Sequence, residues 1–296
     1  MSLATYAIGL ETLADEVTDV SLAIQGRLPD WLTGTLLRTG PAKFEVGDQA
    51  YRHWFDGLAM LYRFSFGANQ IRYTNRFLQS GSYRDALETG RIHRAEFATM
   101  PQRSLLTTLL TLPVEQPASD NGNVNITAIA NQTVAVTETP VPVAFDPATL
   151  QTIGDLAYAD SLVGQTTTAH PHFDFERRQT ISYQIQFGRQ STYELYSIAA
   201  GSRQRRQLAR IPIKQPSYMH SFPITQRYAV LVDCPLRVNP LRLATMRLHQ
   251  TPFIENYRWH PDEGTRFYIV DCEDGSLVNT CETEPFFAFH YANAFE

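Results

Sequence analysis

The feature that most constrains the fold is a recurrence. Short runs of β-branched and aromatic residues, separated by turn signals, repeat along most of the chain. "TVAVTETPVPVAFDPATLQTIGDL" (133–156) reads as strand, Asp-Pro-Ala-Thr turn, strand. "FDFERRQTISYQIQF" (173–187), "YELYSIAAGSRQRRQLARIPI" (193–213) and "RFYIVDCEDGSLVN" (266–279) read as further hairpins. In the last of these, Asp274 and Gly275 supply the pair that two-residue hairpin turns favour. Long amphipathic helical windows are scarce, so the expected class is all-β. Repeated hairpins suit the radial blades of a β-propeller. They suit a β-sandwich as well, and periodicity leaves the two open.

Length and charge narrow the function. All-β folds often run past 200 residues as one domain, so one domain over 1–296 is expected. The formal net charge is −5, which argues against a nucleic-acid partner, because phosphates ask for a basic surface. Cys234, Cys272 and Cys281 are an odd, scattered set and read as reduced thiols. The opening "MSLATYAIGLETLADEVTD" is acidic and lacks the basic and apolar regions of a secretion or transit signal. No apolar run reaches the roughly 18 residues a membrane span needs. A cytoplasmic location is expected.

Two stretches break the β pattern. "RSLLTTLLTLPV" (103–114) is a compact run of Leu and Thr, and "CPLRVNPLRLATMRLHQTPF" (234–253) alternates Leu and Met with Arg. Ordinary packing explains either. The functional alternative is an apolar, basic-flanked rim that dips into a membrane surface while Arg side chains keep their charge in water.

Of eight histidines, three share a setting: His170 in "TTAHPHFD", His220 in "PSYMHSFPIT" and His290 in "FFAFHYANAF". A single buried histidine is ordinarily satisfied by common hydrogen bonds. Three in similar apolar or hydroxyl-rich surroundings point instead to converging imidazoles, the means by which proteins hold divalent first-row metals. Strand alternation would also place His170 and His172 on one face. A His-x-His pair with a distant third histidine is a zinc arrangement, which would make the chain a hydrolase. Pro171 weakens that reading, because it blocks ladder bonding between the two.

Six stretches, in order along the chain, resemble the carotenoid cleavage oxygenase family, which includes apocarotenoid oxygenases and the retinal pigment epithelial retinoid isomerase. They are "GTLLRTGPAKFEVG" (34–47), "HWFDGLAMLYRF" (53–64), "VNITAIANQTVAVTET" (124–139), "TTAHPHFD" (167–174), "PSYMHSFPIT" (216–225) and "FHYANAFE" (289–296). The resemblance implies a seven-bladed β-propeller with one non-haem Fe(2+) on its axis. By motif, His170, His220 and His290 match three of the family's four histidine ligands, whereas His172 matches a neighbour that does not bind iron. Glu138, in "VTET", matches a glutamate that orients a ligand histidine, and Thr137 and Val124 fall at positions close to the iron. The implied reaction is cleavage of a conjugated C=C bond of a carotenoid or apocarotenoid by O2 to give two carbonyl products. The implied partners are an apolar polyene, O2 and a membrane surface touched through 103–114 and 234–253.

The chain also departs from the family. Thr39 stands where Asn is usual, and Tyr62 where His is usual. The fourth histidine and two further glutamates of the family have no counterpart before Glu296, and none of His53, His93, His249 and His260 sits in the fourth ligand's motif. On this basis the chain reads as the N-terminal part of a longer protein, an incomplete propeller lacking its last blades, of low stability and impaired activity. The alternatives kept beside this reading are a stilbene-cleaving oxygenase of the same family, a His-x-His zinc hydrolase and an inactive fragment.

Overall fold

In a computed structural model, which describes residues 5–104, 107–108 and 118–296, the hairpins form four main antiparallel sheets in succession. The first joins Gly34–Lys43, Leu58–Gly67 and Gln70–Phe77, with Val20–Ser21 on its far edge. The second runs from Asn125–Ile129 through Gln132–Val136 and Val143–Phe145 to Thr152–Asp155. In the third, Thr166–Thr167 and His172–Asp174 both pair with Gln179–Gln186, followed by Ser191–Ala199 and Arg205–Ile213. The fourth contains Tyr228–Asp233, Thr265–Asp271 and Leu277–Thr283.

Two of the turns are tight. Ala68 and Asn69 (φ 47° and 55°) join one hairpin, and Ala130 and Asn131 (φ 52° and 61°) another. Both central residues lie at positive φ, the backbone that matches the twist of the flanking strands. The Asp274-Gly275 turn is not of this kind. Residues 272–276 form a longer connection, closed by Asp271 N–H donating to the Ser276 carbonyl at 2.9 Å. A register shift at Ile269/Val270 precedes it. Gly275 sits at φ 78° against the Leu208 carbonyl, where a Cβ would fall 1.9 Å from the oxygen. Contact with the neighbouring sheet, not the Asp-Gly pair, sets this turn.

The strands near the middle of each sheet are buried on both faces, and this separates a propeller from a sandwich. Leu58 and Met60 pack with Phe77 and Tyr83, while Ala59 and Leu61 on the opposite face meet Ala135, Phe145 and Leu150 of the second sheet. Val134 and Val136 then meet Ala169 at the start of the third sheet. Ile181, Tyr183 and Leu195 of the third meet Leu231, Tyr268 and Val270 of the fourth. A two-layer sandwich buries one face of each sheet. Sheets stacked face to face in series, each with an apolar cluster on either side, are propeller blades.

The 234–253 stretch forms the strand Leu236–Val238 and two short helices, Pro240–Ala244 and Met246–His249. Asn239 caps the first helix, with Pro240 in its opening turn. Of the 103–114 stretch, 105–106 and 109–114 lie outside the described residues.

Candidate metal centre

Each histidine of interest lies on a connecting segment outside the strands. His170 sits between Thr166–Thr167 and His172–Asp174, His220 precedes Tyr228–Asp233, and His290 follows Leu277–Thr283. Hydroxyl groups stitch these segments together. Thr168 donates to the His220 carbonyl at 2.7 Å and accepts the His170 amide at 3.0 Å. Ser221 donates to the Phe289 carbonyl at 2.6 Å. Asn125 holds the Ala169 carbonyl at 2.9 Å, and the Tyr183 hydroxyl donates to the Met219 carbonyl. The backbone of all three segments is thereby fixed.

The side chains converge. One ring nitrogen from each of His170, His220 and His290 lies within 4.8 Å of the others. The Nε2 atoms of His170 and His220 are 3.0 Å apart. Glu138 Oε1 lies 2.6 Å from His220 Nδ1. A carboxylate accepts there, so Nδ1 is the donor and Nε2 is the ring nitrogen left to face His170. Burial lowers the His170 pKa to about 4, with the neighbouring His220, His290 and His172 adding to the effect. Burial, with His220 beside it, lowers His290 as well. Both rings are therefore neutral at pH 7, the form that ligates metals. Three imidazoles crowded nitrogen to nitrogen, one of them hydrogen-bonded to a carboxylate, are a donor set suited to a divalent first-row cation.

His172 is turned away. Its Nε2 lies 2.6 Å from the Phe222 carbonyl oxygen, and its ring meets the Phe222 ring edge-on. The strand begins at His172, so strand alternation does not extend back through Pro171 to His170. A His-x-His chelate would need both rings on one ion, and this arrangement does not favour it.

Val124, Thr137 and Glu138 line a cavity of about 1750 Å³ that also reaches all three histidines. Its other walls include Phe55, Phe97, Phe289, Leu241, Leu243 and Met246. Glu96 lies in the wall too, and burial raises its carboxyl well above the usual range. The Ser119 hydroxyl opposes that shift, and the Asp56 and Asp120 charges reinforce it.

Sequence reasoning missed Thr168, Ser221 and Tyr218. The first stands in the run of three threonines before His170, the only signal it gave. Tyr218 donates to Glu138 Oε1 at 2.8 Å and lies behind it. Burial, and then the Glu138 charge, raise its phenol far above the ordinary range, so it remains a donor.

Residues 10–296 match the family profile described as Retinal pigment epithelial membrane protein. Among curated relatives, the chain is 31% identical to a mitochondrial carotenoid-cleaving dioxygenase of Macaca fascicularis, over 97% of this chain and 55% of that protein. It is 30% identical to the beta,beta-carotene 15,15'-dioxygenase of Gallus gallus, over 94% of this chain and 57% of that protein. Among solved structures, a variant of the Synechocystis apocarotenoid oxygenase superposes with a TM-score of 0.84 at 26% identity, covering 98% of this chain and 61% of that one. The cobalt-substituted form of the Synechocystis enzyme gives 0.83, also at 26% identity, with 98% of this chain and 61% of that one covered. The chain thus spans about half the length of the curated relatives it matches.

Proposed function

The chain belongs to the retinal pigment epithelial membrane protein family, the carotenoid oxygenases, and on that premise we propose that it carries the iron-binding part of a dioxygenase that cleaves a conjugated C=C bond of a carotenoid or apocarotenoid. The observation that carries this reading is the meeting of three imidazole nitrogens at the wall of a largely apolar cavity. His170, His220 and His290 would hold Fe(2+), and Glu138 would orient His220. Fe(2+) held by these residues would supply one-electron chemistry toward O2.

The remaining roles fall to the chain's own groups. The phenylalanine and leucine walls take a rigid, neutral polyene and keep water from it. Val124 and Thr137 bound the space beside the histidines. Glu138, held by Tyr218, accepts from Nδ1 of His220 and would leave Nε2 as the nitrogen that meets the ion. The overall change balances without a further reductant: the O–O bond and both bonds of the C=C break, and one oxygen atom ends on each carbon as a carbonyl. The test is incubation with a β-apocarotenal under 18O2, with and without Fe(II). Two carbonyl products, each carrying one labelled oxygen and formed only with Fe(II), are expected. Run beside a chain extended to the length of the relatives, consumption of the polyene without iron, or none by an extended chain that holds iron, contradicts the proposal.

A polyene substrate partitions into lipid, and Leu241 is 72% exposed beside the cavity wall it also lines. Leu248 on the next helix is 39% exposed. We assign to 234–253 a shallow contact with the membrane surface. No helix among the described residues is long and apolar enough to cross a membrane. The Leu241→Ser, Leu248→Ser double variant should bind phosphatidylcholine vesicles several-fold more weakly in flotation, since each buried CH2 contributes about 0.8 kcal/mol. Unchanged flotation removes this contact.

A further inference from the structure

Glu138 takes two hydrogen bonds on one oxygen. Oε1 accepts from His220 Nδ1 at 2.6 Å and from the Tyr218 hydroxyl at 2.8 Å. We propose that Tyr218 is a positioning residue for the metal centre: its hydroxyl locks the Glu138 carboxylate in the orientation that fixes the His220 tautomer and aims Nε2 at the site. The inference deepens the reading of His220 as a metal ligand and rests on it.

Tyr218 is placed for this and for little else. It is 4% exposed, and its backbone is pinned by donation to the Leu236 carbonyl at 2.8 Å. Its ring packs among Phe97, Tyr257, Phe287 and Phe289, with centroids 5.7–6.3 Å away. That aromatic bed sets where the hydroxyl points. The hydroxyl is also 3.4 Å from His220 Nδ1, so phenol, carboxylate and imidazole form one compact triangle. Among the described residues these are the only two hydrogen bonds to the carboxylate, so removal of the phenol leaves the carboxylate tethered by the imidazole it is meant to orient.

Tyr218→Phe keeps the ring and its packing and deletes only the hydroxyl. Two readouts separate positioning from packing. The first uses the metal-free chain with 15N-labelled histidine. The native His220 ring should show a single Nδ1–H tautomer, and the variant a mixture. The His220 signals are those missing from His220→Gln. The second is titration with Co(II) alone, followed by its visible d–d absorption. Loss of an outer partner of a metal-ligating histidine typically weakens binding ~10–100-fold, and a loss near tenfold is expected here. In a Glu138→Gln background the same change should cost less than about twofold, because coupled residues are not additive. A native-like ring spectrum in Tyr218→Phe overturns the proposal, as does an equal loss of Co(II) affinity with and without Glu138. If the native chain takes up no Co(II), the metal reading fails, and the ring spectra still decide the role of Tyr218.

Discussion

His220→Ala should abolish tight binding of Fe(II), the largest functional loss expected from any single substitution in this chain. His220 is 6% exposed, it stands 3.0 Å from His170 through Nε2, and among the described residues it alone of the three has a carboxylate partner, at 2.6 Å. Its removal deletes one of three converging donors and leaves Glu138 without an imidazole to orient. Losing only an outer partner of a ligand histidine costs ~10–100-fold in affinity, so loss of the ligand itself should exceed the upper end of that range. His172→Ala is the control. Its Nε2 sits against the Phe222 carbonyl, so the variant should keep its iron and lose only about 1 kcal/mol of stability with that hydrogen bond. Anaerobic titration with a chromophoric competitor reads both. Loss of iron from His172→Ala with retention in His220→Ala would return the His-x-His zinc reading to the front.

The largest structural effect is expected far from the histidines. Asp160 and Arg205 form an ion pair at 2.7 Å with both side chains 5% exposed. Arg205 spends its remaining donors on the Gln184 side chain at 2.8 Å and the Leu162 carbonyl at 2.5 Å, with its guanidinium 4.1 Å from the centre of the Tyr158 ring. This network ties the connection after the second blade to the third. Asp160→Ala would leave a buried, uncompensated guanidinium, and breaking such a pair from one side costs about 3–5 kcal/mol. That is a large part of a domain's usual stability of about 5–15 kcal/mol. The pH dependence has a definite sign. Burial alone would raise the Asp160 carboxyl, but hydrogen bonds from the Arg205 side chain and from the Arg205 and Leu162 amides outweigh it and hold the carboxyl below its ordinary value of 3.8. A carboxyl depressed on folding contributes stability that is present above its unfolded pKa, near 3.8, and is lost as pH falls through the lower folded value. Urea unfolding at pH 7 should show a midpoint lowered in Asp160→Ala with little change in slope. The difference from the native chain should shrink below about pH 4. A midpoint shift equivalent to less than about 1 kcal/mol would show the pair to be dispensable.

The repeating unit of the fold was legible because a strand buried on both faces and a tight turn both write themselves locally. The runs 133–156 and 193–213 form strands near where alternation places them. Periodicity did not choose between propeller and sandwich, since that choice depends on contacts such as Ala59 and Leu61 meeting Phe145 across a sheet boundary; the family motifs did. Gly275 shows the limit of turn rules, because a contact with Leu208 sets its loop. At the site, the three histidines could be picked out by their settings and by family motifs. Their fastening could not: Thr168 reaches the backbone of a residue 52 positions away, Ser221 one 68 positions away, and Tyr218 a carboxylate 80 positions away. Such partners leave no period and no motif in a single sequence. The alternative pairing of His170 with His172 is not favoured, as Pro171 signalled, because the strand begins only at His172.

The central claim is that imidazoles 170, 220 and 290 share one ion. Anomalous diffraction at the iron edge, from crystals grown with Fe(II) under anaerobic conditions, tests it most directly. One peak per chain, bounded by one ring nitrogen from each of those three histidines with His172 still on the Phe222 carbonyl, is the predicted result. No peak there, or a peak ligated by His172, would contradict the account.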